Sequence, residues 1–406
     1  MVLSKKINLF KSHYNLIVFL VCFKLVFAYL NIELSYWQRD LMSNFERFNF
    51  FDFPKHISNT TEYILLPVMM VFCLRYWQYL RKYQELLLVI GVMMMLNLLT
   101  AMINAVDILS SLNLSLKLLS GVLFYCTLII YHNKTGQSLQ KIFLLILKLC
   151  ATLVLIALLF FDPSFNRLEE YLPIFFSGIH THSYVLVCLF VGVLSLLYTN
   201  RKRRYLILFS VLSTLFLYLG YNVRTAILMY LFVLLPVLFY TSDFFKLIIF
   251  KGVLLTPFVL FFIYLIGTEL QLDNYSSGRL TMYVAKFQVL SNYSAIDWLV
   301  GKGYGSDLIT TESWWWSKKG SHSDLLTFLV ENGILYLILF LLFIIRILHI
   351  KKQSNFIILF FVFGAFFSSL ISNGVLVRPT SAYIFFLVLA MLTTDYSQRI
   401  NQLKHQ

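Results

Sequence analysis

Residues 324–345 read DLLTFLVENGILYLILFLLFII, and this stretch decides what kind of protein the chain is. Only Asp324 at its start and Glu331 carry charge, and Thr327 and Asn332 are the other polar side chains before Tyr336. A helix over it would rise roughly 33 Å at about 1.5 Å per residue, enough to cross a hydrocarbon core of about 30 Å.

Working outward, runs of the same character recur along the whole sequence. Before it lie Asn15 to Leu30, Glu62 to Leu80, Leu86 to Val106, Leu109 to Tyr131, Ile142 to Phe161, Tyr184 to Tyr198, Tyr205 to Gly220, Thr225 to Tyr240 and Leu247 to Ile266. After it come Asn355 to Ile371 and a shorter run from Ala382 to Leu392. The 406 residues are 59% hydrophobic and 13% charged, with a mean hydropathy of +0.78, so water is not the main solvent. The expected fold is all-α: a polytopic integral membrane protein with about twelve transmembrane helices. Residues 1–266 hold the first nine spans, 267–323 form one large loop, and 324–406 hold the last three spans and the tail.

The distribution of Lys and Arg orients the helices, because short basic loops stay in the cytoplasm. Lys5, Lys6 and Lys11 precede the first span, Arg81 and Lys82 follow the second, and Lys134 and Lys141 follow the fourth. Arg201, Lys202, Arg203 and Arg204, then Lys246 and Lys251, then Arg346, Lys351 and Lys352, and finally Arg399 and Lys404 continue the alternation. Both termini are therefore expected in the cytoplasm, with the large loop outside. The formal net charge of +14 follows from this topology and not from nucleic-acid binding. The first apolar run lacks a small-residue cleavage site and reads as a retained anchor. Cys22, Cys73, Cys126, Cys150 and Cys188 all fall inside apolar spans, with neither a disulfide framework nor a zinc pattern.

Any chemistry outside the membrane belongs to the outward loops. Within the longest, Arg279 follows Ser276-Ser277-Gly278 at the head of an amphipathic stretch carrying Leu280, Tyr283, Val284, Phe287 and Leu290 at helical spacing. A guanidinium there suits a diphosphate, whose oxygens its planar fork grips in pairs; pairing with Asp273 or Asp297 is the alternative. Gly301-Lys302-Gly303-Tyr304-Gly305 lacks the spacing of a nucleotide-binding loop, leaving a structural turn or direct phosphate contact through Gly303 and Tyr304. Trp314, Trp315 and Trp316 would stack on sugars or anchor at headgroup depth. His322, in Ser321-His322-Ser323-Asp324, lies just before a helix whose positive end disfavours its protonation, so a neutral imidazole is available to accept a proton. Arg224 opens the eighth span, and His180 and His182 open the sixth. His-x-His alone is a poor metal site, and no metal or cofactor is expected.

In this order the segments resemble the O-antigen polymerase and O-antigen ligase superfamily of bacterial envelope glycosyltransferases. Four carry the resemblance: Ser177-Gly178 with His180 and His182, Arg224-Thr225-Ala226, Gly278-Arg279 with Trp298 and the glycine turn, and His322-Ser323-Asp324 through Glu331-Asn332-Gly333. They cover about the C-terminal 60% of the chain. The resemblance implies a GT-C-like membrane glycosyltransferase of the bacterial inner membrane. Its active face would be periplasmic, with undecaprenyl-diphosphate-linked oligosaccharides as donor and acceptor. It places the donor diphosphate at Arg224 and Arg279 and a general base at His322, with no metal, and implies a chain-length regulator as a further partner. Glu169, Glu170 and Asp324 are rival bases, and His180 and His182 depart from the family's polar run. The polymerase is favoured over the ligase, which transfers glycan to the lipid A core. A flippase or other transporter is the alternative from a different class, with Lys24, Arg75, Lys117 and Lys148 as its intramembrane charges.

Overall fold

The computed structural model describes residues 2–30, 52–160, 179–219, 223–241, 279–311, 318–349 and 356–404. Thirteen α-helices account for most of them: α1 (Val2–Leu30), α2 (Asp52–Arg75), α3 (Gln84–Ile103), α4 (Ile108–Thr135), α5 (Gln140–Phe160), α6 (Ile179–Thr199), α7 (Arg203–Leu219), α8 (Arg224–Thr241), α9 (Arg279–Ser291), α10 (Ala295–Val300), α11 (Asp324–His349), α12 (Phe356–Ile371) and α13 (Pro379–Lys404). Among the described residues, seven helices are long and apolar enough to cross a membrane. Two shorter apolar helices, Phe356–Ile371 and Pro379–Thr394, accompany them. The protein is accordingly a helical, multi-pass membrane protein. The expected ninth span, Leu247 to Ile266, lies outside the described residues, as do Glu169, Glu170, Asp273, Ser276 to Gly278 and Trp314 to Trp316.

Two helices form the centre. α4 starts on Asp107, whose carboxylate accepts the Ser110 N–H at 2.8 Å, and closes on Gly136 in the left-handed region. Between these caps every residue from Leu118 to Ile130 is buried. α13 opens with Pro379, whose fixed φ suits a first helical position, and is buried from Ala382 to Thr394. A helix that is apolar on all sides belongs inside a bundle, and α13 packs against α4 on one side and α6 on another. Around this pair, α2 and α3 flank α4, α6 meets α7 and α8, and α8 and α11 meet α12. At the basic end of the first spans, the Lys134 ammonium lies 4.0 Å from the Phe10 ring and 4.2 Å from that of Tyr76, fixing the end of α4 against α1 and α2.

One charged pair lies inside this core. Lys24 on α1 is 3.0 Å from Glu62 Oε2 on α2 and donates to the Ser58 carbonyl at 3.0 Å. Glu62 Oε1 accepts from Tyr383 of α13 at 3.0 Å, and the Ser120 hydroxyl of α4 stands between Glu62 and Tyr383. Lys24 thus neither snorkels nor lines an open path: a buried, hydrogen-bonded ion pair binds four helices together. Removing one charge strands the other in a medium that solvates it poorly. Glu62→Gln, which keeps an acceptor for Tyr383, is expected to cost about 3 kcal/mol or more. The loss should appear as a lowered unfolding midpoint in detergent, and adding Lys24→Met should restore much of it.

Candidate functional site

The large loop is joined to the bundle at a break in α11. Gly333 has φ 75° and ψ −179°, so the helix is interrupted after its second turn. Beside the break, the Val330 carbonyl accepts the Lys302 N–H at 3.2 Å and the Glu331 carbonyl accepts that of Gly303 at 2.8 Å. The Glu331 side chain accepts the Gly305 N–H at 2.8 Å. The two backbones touch, since a Cβ on Gly301 would come within 2.3 Å of the Glu331 carbonyl oxygen, and one on Gly333 within 2.3 Å of that of Leu299. Both glycines have positive φ, so no other residue fits either requirement. From α3, Thr100 donates to the Val300 carbonyl at 2.7 Å and Asn104 to that of Gly301 at 3.2 Å. The glycine-rich turn and the Glu331-Asn332-Gly333 segment are two halves of one joint.

This joint decides between the two readings of the turn. The Gly303 N–H is committed to Glu331 and its Cα packs beside Val106, so Gly303 serves the joint and has no amide to offer a phosphate. Tyr304 stands exposed on the loop surface.

A second knot holds the segment that carries His322. Lys286 on α9 is fully buried and lies 3.1 Å from Asp307 Oδ1, also bonding the Asp307 carbonyl. Burial draws the lysine pKa below its usual value, against the pull of that carboxylate. Asp307 Oδ2 accepts the Ser321 N–H at 2.8 Å and the Thr327 hydroxyl at 2.9 Å. Two residues on, the Ser323 hydroxyl donates to the Leu370 carbonyl at 2.7 Å and caps α11. The Asp324 carboxylate takes the Gly374 N–H at 2.6 Å. Asp324 is therefore a buried anchor for the turn between α12 and α13, which argues against its being the base.

His322 lies between these anchors with φ 54°, a left-handed conformation costing about 1–3 kcal/mol that persists only when its neighbours impose it. It is half-buried. Burial first, then the nearby charges of Arg279 and Lys319, hold its pKa below the ordinary histidine value, with Asp307 opposing and Arg378 adding to the effect.

The floor is the α12–α13 turn. Arg279 donates to the Ile371 carbonyl at 3.1 Å, and Arg378 donates to the Asn373 carbonyl at 3.1 Å and to the Thr181 hydroxyl at 3.2 Å. Arg279, His322 and Arg378 thus share one patch, although 99 residues separate the first from the last (378 − 279). Arg224 stands exposed at the first position of α8, next to Thr225, whose hydroxyl accepts from Tyr184 at 3.0 Å. Tyr184 in turn lies within electrostatic range of Arg378 and Asp324, which puts Arg224 beside the same patch. His180 is half-buried and His182 is buried. Among the described residues no three His, Cys, Asp or Glu side chains gather as a metal site would require.

Arg378 escaped the reading of the sequence. The signal was present: it is a lone cation at the start of the last apolar run, as Arg224 is at the start of another. Lys286 and Asp307 left no such trace, because a distant pair in one loop carries no spacing rule.

No family model matches the chain, nor does any curated protein or solved structure.

Gly333→Ala or Gly301→Ala should displace the loop from α11 and cost about 3 kcal/mol or more, combining positive-φ strain with a backbone clash. Faster limited proteolysis within residues 301–323 would report it, whereas Gly305→Ala, which carries the positive-φ strain at φ 85° but no backbone clash, should change the rate less.

Proposed function

We propose that the chain is an O-antigen polymerase-like glycosyltransferase of the bacterial inner membrane. In this reading it has about twelve spans, a GT-C-like helical arrangement, cytoplasmic termini and a periplasmic active face. It transfers an undecaprenyl-diphosphate-linked oligosaccharide onto the non-reducing end of a second lipid-linked repeat. The observation that carries the reading is His322, its pKa drawn down and its backbone constrained, beside Arg279 and Arg378 at the mouth of the bundle.

The chemistry follows from those groups. The acceptor hydroxyl gives its proton to the His322 imidazole as its oxygen bonds to the anomeric carbon. The bond from that carbon to the diphosphate breaks, and the electron pair leaves with the phosphate oxygen. Negative charge grows on the leaving group, so the fixed Arg279 and Arg378 guanidinium groups stabilise the transition state more than the bound donor. Arg224 fits an outer contact to the same diphosphate, and Tyr304 an exposed contact to the glycan. The carbonyls that each central arginine grips fix its position without cancelling its charge.

Purified protein supplied with a synthetic undecaprenyl-diphosphate repeat should produce a ladder of longer lipid-linked glycans. His322→Ala should lower the rate by roughly 100- to 10,000-fold, and Arg279→Ala or Arg378→Ala by about 100- to 1,000-fold each. Transfer to lipid A core without a ladder would make the protein the ligase. Translocation of the lipid-linked repeat without transfer to either acceptor would make it a transporter and remove these roles.

The pH profile gives an independent check. A base whose pKa is lowered stays unprotonated below the usual value of about 6.5, and activity fails only as pH falls through the lowered value. The acid limb of kcat/KM should lie below pH 6.5, and Lys319→Gln, which removes one of the cations responsible, should move it upward. A limb at or above that value in the wild type would count against His322.

A further inference from the structure

The end of α6 opposite the patch carries a second basic feature. α6 stops at Thr199, and the chain reverses into α7 through a turn in which the Lys202 N–H bonds the Leu197 carbonyl at 3.0 Å and the Arg201 N–H that of Tyr198 at 3.1 Å. This pattern ends a helix on a residue in the left-handed region, normally glycine. α4 closes on Gly136 at φ 67°, but α6 closes on Arg201 at φ 53°. An arginine there is strained, so the turn itself does not account for it.

Arg201, Lys202, Arg203 and Arg204 are all exposed, and none of them pairs with a carboxylate among the described residues. Four adjacent cations repel one another unless an anion joins them. Beside them, between α6 and α7, lies a pocket of about 350 Å³ lined by Leu197, Lys202, Tyr205, Leu208, Phe209 and Leu212. One cation and one phenol stand at its basic end, and the remaining lining is apolar.

We propose that this pocket and the adjoining basic run bind an anionic phospholipid, the phosphate against Arg201 to Arg204 and an acyl chain along Leu208, Phe209 and Leu212. A free phosphate would engage the cations and leave the apolar lining empty. A zwitterionic lipid would fill the pocket but gain little from the four cations. An anionic lipid satisfies both, and basic residues at the end of a membrane helix attract it. By the alternation of basic loops this end faces the cytoplasmic leaflet.

The test uses the full chain in nanodiscs and in detergent, with palmitoyl-oleoyl phosphatidylglycerol and phosphatidylcholine as probes. Native mass spectrometry should show roughly tenfold or greater preference for the anionic lipid. Arg203→Gln with Arg204→Gln should remove most of that preference, and Leu212→Trp, which fills the pocket, should reduce retention of both lipids. Arg201→Gly separates structure from binding, since relaxing the turn should raise the unfolding midpoint in phosphatidylcholine while shrinking the extra stabilisation given by phosphatidylglycerol. Equal retention of the two lipids by the wild type would overturn the proposal, as would a preference unchanged in the double glutamine variant. Displacement of phosphatidylglycerol by inorganic phosphate alone would likewise overturn it, because the acyl pocket would then contribute nothing.

Discussion

The break at Gly333 is the constraint on which the loop-bearing end of the protein depends. A helix interrupted near a membrane surface must find donors for the carbonyls it exposes, because hydrocarbon supplies none. The Lys302 and Gly303 N–H groups supply them from a turn whose glycines allow the two backbones to touch. The loop is therefore held by main-chain contacts that admit only one register, so everything mounted on it has a defined position relative to the bundle.

From that joint the rest of the site follows in sequence. The turn leads to Asp307, which Lys286 neutralises and which fixes Ser321 and Thr327. Ser321 and Ser323 hold His322 in a conformation it would not adopt alone. The carbonyls of the α12–α13 turn fix Arg279 and Arg378 and so draw the loop and the last helix into one patch. The anchoring groups are buried and mutually satisfied, whereas His322 remains accessible. A site of this kind spends little on reorganisation when a ligand arrives.

Charge is divided between the two faces in different ways. At one end of the bundle, Arg279 and Arg378 are held by the carbonyl oxygens of the α12–α13 turn. In the core, Lys24 is matched by Glu62 and supports packing. At the far end of α6, the basic run is exposed, consistent with its role in topology and with a lipid neighbour. The same residue types thus sit in different settings, held by backbone carbonyls in one place, paired with a carboxylate in another and exposed in a third.

The sequence by itself determined the membrane character and the helical class, because apolar runs of bilayer length are local properties. It also placed Arg279 and His322 at helix starts and identified the glycine-rich segment as special. It did not reveal that Gly301 and Gly333 meet, that Asp324 is an anchor, that His182 is buried, or that Arg378 joins the patch. Those facts concern residues far apart in the chain, and no periodicity encodes them. The left-handed conformation of His322 was equally hidden, since Ser-His-Ser carries no turn signal and hydrogen bonds to Asp307 and Leu370 impose it. Tertiary structure decided these points because only packing brings a donor from one segment to the carbonyl another leaves unpaired.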